Sequence, residues 1–239
     1  FSKLWGLPYP VAIALTLGAA ALLGFVVFDR LVSKPMMEAS LLSRVIALIG
    51  LAAIIKGTVR LVWGADAYNL PAIFSTRPWQ LGPILITPQE VAIVGITVAI
   101  IAILYAFFQF TKFGAAMRAT AENRRGAALV GVNVGAIFAA AWMIGTVLSV
   151  IGGVLLGPLL LVEPDMGFIG IKSFTAIVLG GFGSIPGAII GGILLGVVEN
   201  LVAGYLRADL QTAATFVLLI GVLAIRPSGL LGTPIARRV

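Results

Sequence analysis

Two groups of polar residues interrupt a chain made mostly of aliphatic side chains. Glu199 and Asn200 fall inside an apolar run, and the stretch FGAAMRATAENRRGAALVGVN, residues 113–133, carries Arg118, Glu122, Asn123, Arg124 and Arg125. Charges placed so could line a path for a polar solute, relay an ion or grip a partner. Hydrolysis at membrane depth would need more. It calls for a histidine-assisted nucleophile, a carboxylate pair or a metal site. The chain has neither His nor Cys, so no catalytic residue and no metal ligand set is assigned, and the chain is expected not to be an enzyme. Ion-coupled carriers use intramembrane Asp, Glu or His as relays, and Glu199 is nearly the only such group here.

The elements that must hold these groups follow from composition. Sixty per cent of the 239 residues are hydrophobic, 10% are charged, and the mean hydropathy is +1.13. A soluble domain carries about 25% charge, and the apolar runs are too long and unalternating for barrel strands. The expected fold is all-α, a polytopic transmembrane helical bundle forming one domain over residues 1–239. Spans are expected at 9–28, 41–63, 91–110, 134–157 and 210–225, with an irregular segment at 172–205. Residues 29–40 read as a polar connector broken by Pro35, and 64–90 as a long loop with Pro71, Pro78, Pro83 and Pro88.

Orientation follows from the basic residues, which favour the cytoplasmic side. Ten of the sixteen lie in 29–44, 112–125 and the tail (Arg30, Lys34, Arg44, Lys112, Arg118, Arg124, Arg125, Arg226, Arg237, Arg238). Residues 29–40, 111–133 and 226–239 are therefore expected in the cytoplasm. Parity then asks for an odd number of crossings after residue 171. A re-entrant hairpin meets it: 172–180 dips in, GGFGSIPGAIIGG reverses inside the protein, and 185–205 climbs out. Gly183, Gly187 and Gly191 recur every four residues, as do Gly192 and Gly196, a spacing that lets helices approach closely. Ser184 can cap a helix starting at Ile185, with Pro186 in its first turn. Gly180, Gly181, Gly183, Ser184, Pro186 and Gly187 are thus candidates for a hinge or path, and Glu199 and Asn200 for the path or a structural hydrogen bond. Glu163 and Asp165 sit in an outer loop, where they could meet a delivery protein or simply be solvated.

The stretch 113–133 is rich in helix formers, sets Arg118 and Glu122 four apart, and reaches a helix stop at Gly131. On the residues alone it reads equally as a partner-binding rod or as an amphipathic helix on anionic lipid.

This stretch resembles the cytoplasmic loop of permease subunits in the branched-chain, hydrophobic amino-acid family of ATP-binding-cassette importers. Residues 170–201, GIKSFTAIVLGGFGSIPGAIIGGILLGVVENL, resemble that family's late transmembrane block, and RPSGLLG, residues 226–232, its C-terminal sequence. The resemblance implies that loop 111–133 couples to an ATPase, with Arg118, Glu122, Asn123, Arg124 and Arg125 in polar contact and Ala127, Ala128 and Gly131 packing closely. It implies a homologous permease, two ATPase subunits and an extracytoplasmic binding protein as partners, in a bacterial inner membrane. ATP and magnesium would sit on the ATPase, since this chain has no phosphate loop. The cargo would be a branched-chain or other hydrophobic amino acid, or a urea- or amide-like relative. A secondary transporter or channel for small polar or zwitterionic solutes is the alternative. Family permeases open with about two further helices closing near Asn-Phe-Ala-His-Gly, and nothing like this precedes Pro8. The sequence is therefore either truncated or divergent, and part of the path is expected to lie outside it.

Overall fold

The computed structural model describes residues 8–232 apart from 37–38, 73, 76, 82–83, 165 and 182. Asp165 and the tail residues Arg237 and Arg238 lie outside the described residues. The chain divides into two units, Phe1–Glu163 and Pro164–Val239. Among the described residues six helices are long and apolar enough to cross a membrane: Pro10–Ser33, Leu42–Trp63, Pro88–Phe110, Val134–Leu156, Ile185–Tyr205 and Ala208–Ile225. The protein is a multi-pass helical membrane protein, and exposed Leu61, Ile54, Leu42 and Ile103 have lipid as their natural solvent.

In the first unit, α1 (Tyr9–Leu23) continues without a break into a wider-wound stretch, Gly24–Ser33. The polar connector expected from residue 29 therefore starts later. Its cause is Asp29, which is fully buried and has Lys34 Nζ 3.1 Å from Oδ2. The two are five apart, and the wider winding, with Lys34 N–H donating to the Asp29 carbonyl at 2.8 Å, puts both on one face. α2 (Leu41–Trp63) starts on Ser40, whose Oγ accepts the Ser43 N–H at 3.2 Å, and stops at Gly64, φ 88°.

The loop after α2 is not structureless. Trp79–Leu81 (β1) and Ile84–Ile86 (β2) pair antiparallel, with Trp79 opposite Ile86. α3 (Pro88–Phe110) starts three residues before the apolar run because Thr87 and Glu90 form a capping box. Glu90 N–H donates to Thr87 Oγ1 at 3.3 Å and Thr87 N–H to Glu90 Oε2 at 2.8 Å, while Pro88 occupies a position that needs no donor. Buried Gln89 ties this end together, accepting from Phe74 N–H at 3.1 Å and donating to the Leu155 carbonyl at 3.5 Å.

Two short helices, α4 (Lys112–Glu122) and α5 (Arg124–Leu129), lead from α3 to α6 (Val134–Leu156). α6 packs on α1 where Gly24 meets the Thr146 side chain and the Trp142 backbone, and Phe28 stacks on Trp142 at 5.2 Å.

The second unit holds α7 (Phe168–Gly180), α8 (Ile185–Tyr205) and α9 (Gln211–Ile225), with a single 3₁₀ turn, Ala208–Leu210, before α9. Short connections make neighbours antiparallel. At 1.5 Å per residue α7 is only about 20 Å long, whereas α8 reaches about 31 Å, a full membrane thickness. The glycine turn accordingly lies at the end where α9 finishes, not part-way down its neighbours. The segment leaving α9 is hydrogen-bonded to that turn: Leu230 N–H donates to the Leu179 carbonyl at 2.9 Å and Leu231 N–H to the Gly180 carbonyl at 2.8 Å. These carbonyls end α7 and would otherwise lack partners.

Candidate functional site

The connection 111–133 is built from caps. Thr111 closes α3, donating to the Phe107 carbonyl at 2.6 Å, and opens α4, accepting Gly114 N–H at 2.9 Å. Gly114 is required here, since a Cβ would overlap the Phe107 carbonyl. Asn123 then breaks what the sequence presents as one helix. It ends α4 and caps α5, its Oδ1 accepting Gly126 N–H at 2.9 Å. The chain stops α5 at Gly131, φ 86°, with Gly131 N–H donating to Ala128 at 3.1 Å and Val132 N–H to Ala127 at 3.0 Å. That bond pair is the left-handed glycine stop of helices. Asn133 immediately caps α6, accepting Ala136 N–H at 3.0 Å. Asparagine suits such junctions because its short carbonyl reaches a free N–H two or three residues on.

The five polar residues do not act alike. Arg118 donates back to the Phe108 carbonyl and to Gln109 Oε1 (3.2 Å), so the i,i+4 pairing with Glu122 is not what holds it. Arg124 is half-buried and lies over the Phe138 ring at 4.7 Å, a cation–π contact that fastens α5 to α6. Glu122, Asn123 and Arg125 are exposed. Within this chain Ala127 is buried, Ala128 is exposed, and nothing lies within 4 Å of where a Gly131 Cβ would stand, so Gly131's role inside the chain is its conformation. Leu129 and Val130 are 88% and 79% exposed beside these charges. Phe138 also lines a cavity of about 440 Å³ with Val32, Ser33, Arg44, Leu48 and Trp142.

In the second unit the glycines take two jobs, and two of them take neither. Gly180, Gly187 and Gly191 make the α7–α8 contact, where a Cβ on any of them would overlap backbone of the facing helix. Gly181 and Gly183 supply positive φ, 109° and 84°. Gly192 touches only the Ala176 methyl, and nothing approaches Gly196. Ser184 caps α8 as its sequence position suggests, accepting Gly187 N–H at 3.0 Å, with Pro186 in the first turn.

Glu199 has partners that sequence reasoning missed. Lys172 Nζ from α7 lies 3.0 Å from Oε1 and 3.1 Å from Oε2, and Thr215 Oγ1 from α9 donates to Oε1 at 2.5 Å. One carboxylate thus ties all three helices together. Along their helices the three residues stand roughly 12–21 Å from the turn end. A signal was available: residues 166–206 contain one cation, Lys172, and one anion, Glu199, and charges in apolar helices pair. Asn200 points away, exposed, bonding to its own helix at Gly196 (2.8 Å). Beside the pair lies a cavity of about 190 Å³ lined by Ile171, Lys172, Thr175, Thr212, Thr215 and Phe216. Among the described residues no three His, Cys, Asp or Glu gather as a metal site.

The family profile described as "Branched-chain amino acid transport system / permease component" matches residues 2–225. The high-affinity branched-chain amino acid transport system permease protein LivH of Salmonella typhimurium is 36% identical over 218 residues, 88% of this chain and 70% of that protein. LivH of Escherichia coli K12 is 35% identical over the same length. BraD of Pseudomonas aeruginosa, a permease protein of the same kind of system, is 34% identical over 217 residues, 88% of this chain and 71% of that protein. No solved structure matches the chain.

Proposed function

The chain belongs to the family of branched-chain amino acid transport permease components, and from that premise we propose that it is the membrane-crossing subunit of an ATP-binding-cassette importer for branched-chain or related hydrophobic amino acids. The observation that carries the coupling half of this reading is the connection 111–133. Thr111 ties it to α3 and Asn133 to α6, while Asn123 and Gly131 fix the start and stop of α5 between them. Exposed Leu129 and Val130 beside Glu122 and Arg125 give it an apolar anchor rimmed by charge, the composition of a protein contact. A segment that only rested on lipid would not need such fixed geometry. Its seat would be a groove on a cytoplasmic ATPase subunit, which would carry ATP and magnesium. Residues 29–40, 111–133 and 226–239 would face the cytoplasm of the bacterial inner membrane. A second, homologous permease, a second ATPase subunit and an extracytoplasmic binding protein would complete the assembly. In the second unit Gly180, Gly181, Gly183, Ser184, Pro186 and Gly187 would form a hinge beside the path, with Glu199 on the path and Asn200, exposed on the same helix, toward a neighbouring subunit.

The test is co-purification in mild detergent. An ATPase subunit should accompany the unaltered chain and be lost from a Glu122→Lys, Arg125→Glu variant whose own yield and helicity are unchanged. Retention of that subunit by the charge-reversed chain would sink the coupling assignment.

A further inference from the structure

Lys172 and Glu199 are the only charges across 41 residues of chain, and both sit within apolar helices. An ion pair in such surroundings is a poor way to stabilise a fold, because desolvation cancels most of the attraction. It does, however, make a site with zero net charge and two strong opposite poles. We propose that this pair is an exchange site for a zwitterion. The carboxylate of a neutral α-amino acid takes the place of Glu199 on Lys172, while its ammonium takes the place of Lys172 on Glu199. The inference rests on the importer reading and names the cargo's chemistry at one point of its route.

Three features support exchange over a static clamp. Lys172 and Glu199 side chains keep 36% and 15% of their exposure, so both poles can be reached. Glu199 is held independently by Thr215, itself buried, so the carboxylate keeps a donor when Lys172 turns to a ligand. The Thr215 hydroxyl has one proton and two acceptors in range, Glu199 at 2.5 Å and the Gln211 carbonyl at 3.1 Å, and can follow either state. The 190 Å³ cavity is lined by Lys172 and by Thr215, the residue bonded to Glu199, together with Ile171, Phe216, Thr175 and Thr212, apolar surface for an aliphatic side chain beside the polar end. A site of this balance also rejects unbalanced solutes. A monoanion would occupy Lys172 and strand Glu199, a monocation the reverse, and an unpaired charge in such a place is costly.

The experiment uses the full transporter in proteoliposomes, with all partner subunits and leucine as cargo. Replacing both poles at once, Lys172→Met with Glu199→Leu, separates the two roles, since a purely structural pair tolerates apolar replacement. Expected is a loss of uptake of at least tenfold in complex recovered at normal yield; uptake within twofold of the unaltered complex overturns the proposal. A second arm covers failure to assemble. The chain lacks cysteine, so Thr212→Cys places one thiol on the cavity wall, where a methanethiosulfonate reagent can titrate it. Millimolar leucine should slow that labelling severalfold, while 4-methylpentanoate and 3-methylbutylamine, each missing one pole, should not. Equal labelling with and without leucine, or equal protection by either analogue, overturns the proposal. Should the unaltered chain take up leucine with no ATPase subunit present, the importer reading fails instead.

Discussion

Alanine placed at four glycines of α8 should give opposite results at nearly adjacent positions. At Gly187 a new methyl would overlap the Gly180 carbonyl, and at Gly191 the Ala176 carbonyl. The obstacle in each case is backbone, which cannot rotate away, so α7 and α8 must separate. Overpacking of this kind costs about 1–3 kcal/mol, and backbone overlap belongs in the upper half of that range. Alanine returns up to about 1 kcal/mol of helix propensity, leaving a net loss of about 1–2 kcal/mol. At Gly192 the methyl reaches only the Ala176 methyl at 4.0 Å, and at Gly196 it meets nothing, so the propensity gain of about 0.5–1 kcal/mol should stand alone. Gly187→Ala and Gly196→Ala should therefore differ by roughly 1.5–3 kcal/mol, with opposite signs. Reversible unfolding of the purified chain in mixed micelles reads the difference without any partner subunit. If Gly196→Ala destabilises as much as Gly187→Ala, or if Gly187→Ala is silent, the α7–α8 contact is not where the structure puts it.

Two further substitutions probe the ends of elements. Asn123→Ala removes the cap of α5 and should cost about 1 kcal/mol of chain stability, while lowering ATPase-subunit capture more steeply than Ala67→Ser, a change at an exposed position outside the connection; capture assays on both variants decide it. Ending the chain after Ser228 removes the donors to the Leu179 and Gly180 carbonyls, each worth about 1–3 kcal/mol when buried and unpaired. Hydrogen exchange at the C-terminal turn of α7 should then accelerate, with α3 unaffected as the internal control.

Much of this could be read from residue order, for reasons that also explain what could not. Long apolar runs locate crossings because the bilayer sets their length, and every span foreseen has its helix. Boundaries moved where a polar residue makes a local bond that hydropathy does not register. Thr87-Pro88-Gln89-Glu90 is a capping box whose spacing is visible in the chain, yet its polarity sent it to a loop. Asp29 looks like a surface residue until Lys34, five positions on, is brought over it by wider helical winding. Asn123 hides between Glu122 and Arg124, both good helix formers, so the rod reads as one helix although the asparagine ends one and starts another. The glycine turn carries the marks of a tight reversal, but its backbone interaction with Leu230 and Leu231 links residues some fifty positions apart and leaves no local signal.

The contacts around α6 say how a pull on the rod would travel within the first unit. Glu122, Arg125, Leu129 and Val130 are the residues a partner can grasp, whereas Arg124 faces inward onto Phe138. The three-residue link from Gly131 to Asn133 is fully committed, with Gly131 and Val132 bonded back to α5 and Asn133 bonded forward into α6. A displacement of α5 therefore has no slack in which to dissipate before it reaches the first turn of α6. One turn further along, Phe138 is a wall of the 440 Å³ cavity that Arg44 of α2 and Ser33, at the end of the wider-wound stretch after α1, share. Beyond that, α6 meets α1 at Gly24, where the Thr146 side chain and the Trp142 backbone leave no room for even a methyl. A packed contact of that kind shifts as a body and does not deform, so the cavity is where the movement is expected to be taken up. Substituting Phe138 with Leu should thus uncouple nucleotide turnover from uptake while leaving ATPase-subunit capture intact, and loss of capture would show that the ring matters only for folding the rod.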